Sequence, residues 1–261
     1  MSDSSQIQQV AAILRQANQH KELIDPIRNI IGAQDAALAY EIQLVNNRLR
    51  LAEGAKRIGC KIGLTSPVVQ KQFGIDQPDF GWLMDDMKVE NGGSLAFKEL
   101  MQPKAEGELA FVINKELADP ALSMDQLKAA IAYVQASIEI VGSRIRNWDI
   151  SITDTIADNA SASHFVLGDA QVPLQDIDLL NFRMELFSNG EKKSTGSGKD
   201  CLGNPLHAVI WLTRTMAEMG QPLQAGDVVL SGALGPMVNI EQGDELSATF
   251  DGMGDVHIKI S

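Results

Sequence analysis

The sequence predicts a mixed, mainly antiparallel α+β fold in which a helical segment precedes a β-sheet core. Three observations carry this. The first 55 residues are helical by periodicity, strand-like segments outnumber helical ones after residue 56, and the two kinds do not alternate as they would in a doubly wound parallel sheet. At 261 residues the chain has ample volume for a large buried core. The organisation expected is an N-terminal helical arm, residues 1–55, followed by one core, residues 56–261.

In the arm, Ile7, Val10, Ala11 and Leu14 recur at helical spacing, and Ala33, Ala37, Tyr40, Leu44 and Leu51 do so again before Gly54 stops the second helix. "RIGCKIGLTS" reads as a short strand, and Ser66-Pro67 supplies a cap and first-turn pair for a helix ending near Gly74. "IDQPDFGWLMDDM" is a loop by its Pro, Gly and Asp content. It carries Phe80, Trp82, Leu83 and Met84, and an apolar loop of that kind is folded over something. "PKAEGELAFVI" is a strand. Ser123 with Gln126 forms a capping box for the helix "SMDQLKAAIAYV", and "QASIEIVGSRI" is the strand that follows. Asn189-Gly190 signals a hairpin between "FRMELFS" and "EKKSTG". Asn204-Pro205 caps the helix "PLHAVIWLTRTMAEM", which Gly220 ends, and "DVVLSGA", "ELSATF" and "DVHIKI" are the closing strands. No internal repeat or low-complexity segment is present.

Composition narrows the function. With 22 basic against 34 acidic residues the formal charge is -12, which argues against nucleic acid or an anionic membrane surface as partner. No basic region followed by an apolar block opens the chain and no apolar run approaches a membrane span, so a cytoplasmic protein is expected. Cys60 and Cys201 lack CxxC spacing, so neither a disulfide framework nor a zinc site is indicated. "GSGKDCLG" lacks the phosphate-loop order and "SGALGPM" is no dinucleotide fingerprint; the histidines show no ligand spacing.

Four constellations could carry chemistry. In "PKAEGELAFVI", Glu106, Glu108, Ala110 and Val112 share one strand face, with Gly107, Leu109, Phe111 and Ile113 on the other. Two anions roughly 7 Å apart repel by about 2.4 kcal/mol at an effective dielectric near 20. Either the strand lies at an edge with both acids in water, or a bound cation turns repulsion into coordination. Glu139, flanked by Ile138 and Ile140, is a third such acid, and a lone carboxylate there needs exposure or a partner. Together Glu106, Glu108 and Glu139 suit a hard divalent ion such as magnesium or manganese. The second constellation is "DTIADNASASHF", where Asp154, Asp158, Asn159, Ser161 and Ser163 read as a polar loop or, beside a metal, as orienters and proton-relay groups. The third is Lys61 in a short apolar strand, which either snorkels to solvent or meets an anion such as a substrate carboxylate. The fourth is "DQPDFG", where Asp76 and Asp79 cap turns or act in acid–base chemistry.

As a set, "KIGLTSPVVQKQFGIDQPDFGWLMDDM", "QPKAEGELAFV", "EIVGSRIRNWDISITDTIADNAS" and "GALGPM" resemble the 2-keto-4-pentenoate hydratases of bacterial aromatic meta-cleavage pathways, within the fumarylacetoacetase-like superfamily. The resemblance runs over nearly the whole chain. It implies a fumarylacetoacetase-like core behind the helical arm and a magnesium- or manganese-dependent lyase that adds water to 2-hydroxypenta-2,4-dienoate, giving 4-hydroxy-2-oxopentanoate. The family's metal carboxylates fall on Glu106, Glu108 and Glu139. Its catalytic lysine, aspartate and serine fall on Lys61, Asp79 and Ser161, and substrate contacts on Lys61, Leu64, Phe80 and Asn159. Ser161 is followed by Ala162, where near relatives often have Cys.

In that chemistry Lys61 neutralises the substrate carboxylate or bonds its 2-oxygen, Asp79 moves protons with Ser161 relaying, and the Phe80–Trp82 loop excludes solvent. The resemblance also implies a homo-oligomer, pentameric or decameric, and a complex with 4-oxalocrotonate decarboxylase. That decarboxylase shares the scaffold and is the nearest rival activity. A fumarylacetoacetase-type hydrolase would need a histidine that is not in the expected setting, and a purely structural partner would not need Glu106, Glu108, Glu139 and Lys61 intact.

Overall fold

The computed structural model describes residues 4–66, 70 and 77–261. Of the helix expected from Ser66 to Gly74, Ser66 and Gln70 are described, the Gln70 N–H bonding the Ser66 carbonyl at 2.9 Å; its other residues, and Asp76, lie outside the described residues. Six α-helices are described: α1 Ser4–His20, α2 Arg28–Ile31, α3 Ala36–Ala52, α4 Met124–Lys128, α5 Ile152–Ala157 and α6 Pro205–Glu218. Strands β1 Arg57–Gly63, β2 Asp79–Met84, β3 Lys88–Val89, β4 Gly93–Leu95, β5 Lys104–Ile113, β6 Ile131–Val141 and β7 Ala162–Leu167 are followed by β8 Arg183–Ser188, β9 Glu191–Ser197, β10 Val228–Leu230, β11 Val238–Asn239, β12 Glu245–Phe250 and β13 Gly254–Ile260.

The α+β expectation holds. One sheet runs β2-β1-β10-β5-β6-β7-β3 with β11 beside β5, and a second runs β4-β13-β12-β8-β9. Pairing is antiparallel except for β1 with β10, β3 with β7 and β4 with β13. The helical N-terminus is observed: α1 and α3 bury Val10, Ala11, Leu14, Leu38, Ala39 and Ile42, in a cluster that Ile145, Ile156 and Ala157 complete. Asp35 caps α3 by accepting from the Leu38 N–H. The hairpin at Asn189-Gly190 has positive φ at both residues, as a two-residue turn between twisted strands requires. Among the described residues no helix is long and apolar enough to cross a membrane.

Three local expectations need correction. "IDQPDFGWLMDDM" is not an apolar loop: its Asp79–Met84 segment is β2, all six residues buried and paired along β1. Its glycine is a packing requirement, since a Cβ on Gly81 would lie 2.1 Å from the Asn159 carbonyl oxygen. The helix opened by the Ser123–Gln126 capping box stops at Lys128. Ile131, Tyr133 and Val134 belong instead to β6 and pair with β5, because β-branched and aromatic side chains fit a pleated, buried surface better than a helix end. The stretch from Asp154 to Ser163 is not a simple loop either. Asp154 is the third residue of a capping box with Ser151, which starts α5, and β7 follows at Ala162.

The second sheet packs on one face of β5 and β6. A Cβ on Gly107 would come within 2.6 Å of the Met184 sulfur on β8. Alternation along β5 then turns Glu106 and Glu108 to the opposite face.

Candidate active site

Register brings the three acids together. Glu106 on β5 stands directly across from Glu139 on β6, with Glu108 opposite Ser137 one pleat along. One carboxylate oxygen from each of Glu106, Glu108 and Glu139 lies within 4.8 Å of the others. Glu108 and Glu139 are fully buried and Glu106 is half-buried, so the edge-strand alternative fails. Two strands away, Lys61 on β1 shares the same face and is only 3 % exposed. Its Nζ sits 3.3 Å from Glu139 Oε1 and donates to the Ala160 carbonyl at 2.9 Å, so it does not snorkel to solvent.

The electrostatics follow from this crowding. Burial, reinforced by Glu139, raises Glu106 to about 7. Burial also raises Glu108, with the charges of Glu139 and Glu106 adding to it, and burial raises Glu139 against the opposing pull of Lys61. For Lys61, burial alone would lower the pKa, but Glu139, Glu106, Asp79 and Glu108 outweigh it and hold the ammonium charged. Three carboxylates facing one ammonium leave excess negative charge in a low-dielectric place.

A divalent cation fits that excess. Oε1 of Glu108 and Oε2 of Glu139 are buried without a hydrogen-bond partner, and Oε1 of Glu139 faces the Lys61 ammonium at 3.3 Å. The other oxygen of Glu108 is fixed by the Gly232 N–H at 2.9 Å, which aims the free one. Buried carboxylate oxygens without donors are costly, and all-oxygen donor sets suit hard metals.

Asp79 lies at the start of β2 on the same face as Lys61. It is 1 % exposed, and burial raises its pKa against the opposing charge of Lys61 and a hydrogen bond from Thr155. Thr155 Oγ1 on α5 donates to Asp79 Oδ2 at 3.2 Å and lies 3.4 Å from Ser161 Oγ. Asp79 Oδ1 has no partner. The structure therefore joins Asp79, Thr155 and Ser161 in a hydroxyl-bridged row beside the carboxylates. The bridge, Thr155, is invisible in the sequence because a threonine inside a short helix carries no signal of its partners.

Other candidates are placed elsewhere. Phe80 follows Asp79 on a strand, so its side chain points to the opposite face, stacked on Tyr40 at 4.6 Å and edge-on to Trp211 at 6.3 Å. It is a core residue there, and Trp82 shares its face. The Asn159 amide is engaged by the Trp82 backbone, donating to its carbonyl at 2.9 Å and accepting from its N–H at 2.8 Å. Leu64, just past β1, is half-buried with a positive φ of 57°. Of the polar loop candidates, Asp154 binds Arg28 in the helical arm, Asp158 binds Arg144, and Ser163 meets His164 Nδ1. Ser161 alone among those five turns its side chain toward Asp79 and Thr155.

Ser161 gets there by an unusual route. Asn159, Ala160 and Ser161 have φ of 54°, 49° and 56°, three successive left-handed residues, none of them glycine. Each costs roughly 1–2 kcal/mol relative to the right-handed form, a strain that persists only where surroundings over-determine it. From this turn the Ala160 carbonyl meets Lys61. The arm supports it: Gln43 on α3 donates to the carbonyls of Phe80 and Ile156, both at 2.9 Å.

Residues 78–261 fit the model of the fumarylacetoacetate hydrolase C-terminal family. The chain belongs to that family. It is 49% identical to a 2-keto-4-pentenoate hydratase of Burkholderia vietnamiensis over 98% of each chain, and 48% identical to one of Paraburkholderia phymatum over all of both. Within the family it is a member of this hydratase group, and so an enzyme of the hydro-lyase class. Among solved structures it is similar to the 4-oxalocrotonate decarboxylase of Pseudomonas putida G7 complexed with magnesium and adipate. There the TM-score is 0.96 at 30% identity, over 100% of this chain and 99% of the other.

Proposed function

We propose that the enzyme hydrates 2-hydroxypenta-2,4-dienoate, the enol of 2-oxopent-4-enoate, to 4-hydroxy-2-oxopentanoate in the meta-cleavage catabolism of aromatic compounds, using magnesium or manganese. The observation that carries this is the convergence of Glu106, Glu108 and Glu139 on one face with Lys61, with Glu108 Oε1 and Glu139 Oε2 buried and without a hydrogen-bond partner. Glu106, Glu108 and Glu139 would hold the ion. When bound, a hard divalent cation supplies Lewis-acid stabilisation of negative charge on the oxygens of an enolate.

The remaining work falls to the chain's own groups. Hydration needs a proton delivered to the terminal carbon as the enol proton leaves, then water added at C4 with a second proton at C3. Lys61, held cationic by the surrounding acids, binds the substrate carboxylate or the 2-oxygen. Asp79 has the environment of a proton carrier: burial favours its neutral form, one oxygen is oriented by Thr155 and the other is free. Ser161 and Thr155 extend that route as hydroxyls that both donate and accept. The resemblance supports further parts of the proposal: a cytoplasmic homo-oligomer of five or ten subunits and a complex with 4-oxalocrotonate decarboxylase. The change from helices α1–α3 to the strands that begin at Arg57 supports a division at residues 55 and 56.

The test is loss of the dienoate chromophore by chelator-stripped protein with and without added magnesium or manganese, beside 2-oxo-3-hexenedioate. Metal-dependent formation of 4-hydroxy-2-oxopentanoate is expected. Carbon dioxide release from the second substrate alone would assign the decarboxylase activity instead, the reading that the solved-structure likeness favours.

A further inference from the structure

We infer that Arg144 is a positioning residue for catalysis: its guanidinium locks the left-handed Asn159–Ser161 turn so that the Ala160 carbonyl and the Ser161 hydroxyl meet Lys61 and Thr155. The inference rests on the hydratase reading above.

Arg144 lies just past β6, outside the carboxylate cluster, and both it and Asp158 are buried. Its Nε donates to Asp158 Oδ1, its backbone N–H to Asp158 Oδ2 at 3.0 Å, and its Nη2 to the Asp158 carbonyl at 2.6 Å. Nη1 reaches the Ala162 carbonyl at 3.5 Å. One planar fork thus brackets the turn, from the residue before it to the residue after it. Charge alone does not explain this arrangement. A buried ion pair is weak evidence for stability, because well-packed apolar residues often do as well. Two backbone carbonyls and a carboxylate gripped by one side chain instead call for several donors in fixed directions, which guanidinium offers and ammonium does not.

The turn is also held by the Gly142 N–H on the Ser161 carbonyl at 2.8 Å, the Ser161 N–H on the Asp158 carbonyl at 3.0 Å and the Asn159 amide on Trp82. At its entry the Asp158 N–H bonds the Asp154 carbonyl at 3.1 Å, while the Asp158 carboxylate is held by Arg144. With the fork removed, three left-handed residues would relax toward ordinary backbone, and the acceptor of Lys61 would move with them. Displacement of about 1 Å at such a position can cost about 10²-fold in rate. Arg144 also borders a cavity of about 460 Å³ lined by Leu14, Asn47, Asp158 and Asn159 among others, so a small cation can reach its place from the side of the helical arm.

The experiment compares wild type, Arg144→Ala and Arg144→Lys as magnesium-loaded protein. Turnover, magnesium affinity by calorimetry, and peptide-level hydrogen exchange over residues 156–164 are measured with and without guanidinium chloride at low concentration, sodium chloride serving as control. For both variants kcat is expected to fall about 10²-fold with magnesium affinity unchanged, and exchange is expected to rise in 156–164 but not in β5 or β6. Guanidinium, and not sodium, is expected to restore part of the kcat and the protection of Arg144→Ala in a saturable way. If Arg144→Ala does not fold, Arg144→Lys carries the test: it keeps the charge but not the fork. Lowered melting temperature with wild-type kcat and wild-type exchange in 156–164 would overturn the inference. Wild type that protects 156–164 through Arg144 yet hydrates no dienoate would instead overturn the hydratase reading and leave the positioning of the turn standing.

Discussion

Glu106, Glu108 and Glu139 reach one another by strand register, whereas Ala160 and Ser161 reach their partners on a turn that follows no regular rule. In the first region a ladder of backbone hydrogen bonds fixes the face of every side chain, and shifting one acid would mean shifting a strand. In the second, side-chain hydrogen bonds hold strained backbone in place: those of Arg144, of Asn159 in the turn itself and, through Phe80 and Ile156, of Gln43. The charges that create the site are thus set by its most rigid element. The polar groups that meet Lys61 and Asp79 sit on one that single side chains can retune.

Removing one acid from the ladder has the largest expected effect. Glu139→Gln abolishes calorimetric magnesium binding and lowers turnover by at least about 10³-fold, several kcal/mol of lost Lewis-acid stabilisation; wild-type metal affinity would detach the cluster from the metal. The link between the two regions is next. Thr155→Val keeps the shape and deletes the hydroxyl between Asp79 and Ser161, so turnover falls about tenfold to 10²-fold with metal affinity intact. Unchanged turnover would show that Asp79 works without the bridge.

Smaller is the effect of pH on the metal-free ladder. The pKa of Glu106 is raised from 4.5 to about 7, first by burial and then by Glu139. Its proton therefore contributes stability that is fully present below 4.5 and is lost as pH rises through about 7. Magnesium replaces that proton, so the gap in melting temperature between magnesium-loaded and metal-free protein is expected to widen over this window. A constant gap would mean that Glu106 is ionised throughout. Smallest for catalysis is Phe80→Leu, which removes ring packing against Tyr40 and Trp211 and costs about 1–2 kcal/mol of stability with turnover per folded molecule unchanged. A large loss of turnover in well-folded Phe80→Leu would move that ring into the site.

What could be read from the sequence divides along the same line. Acids at strand spacing among apolar residues report their face directly, so Glu106, Glu108 and Glu139 were recognisable, as was Lys61, and so were the arm and the mixed sheet. Phe80 was misplaced because "DQPDFG" has the composition of a loop, in which neighbours can point the same way. On a strand, Asp79 and Phe80 must oppose one another. Thr155, Arg144 and the Gly232 N–H left no mark, because their roles come from partners distant in the chain. Asn159 has the chemistry of a ligand-binding amide, but only the fold shows that it is already engaged.

That engagement reaches beyond the site. β2 is an outer strand of its sheet, and such a strand offers unpaired donors and acceptors to any other chain. Donating to and accepting from the backbone of Trp82, the Asn159 side chain imitates one rung of a neighbouring strand. The turn that presents Ser161 therefore also closes a buried border of the sheet, and in an Asn159→Ala enzyme the Trp82 N–H and carbonyl would lose the partner that stands in for a neighbouring strand.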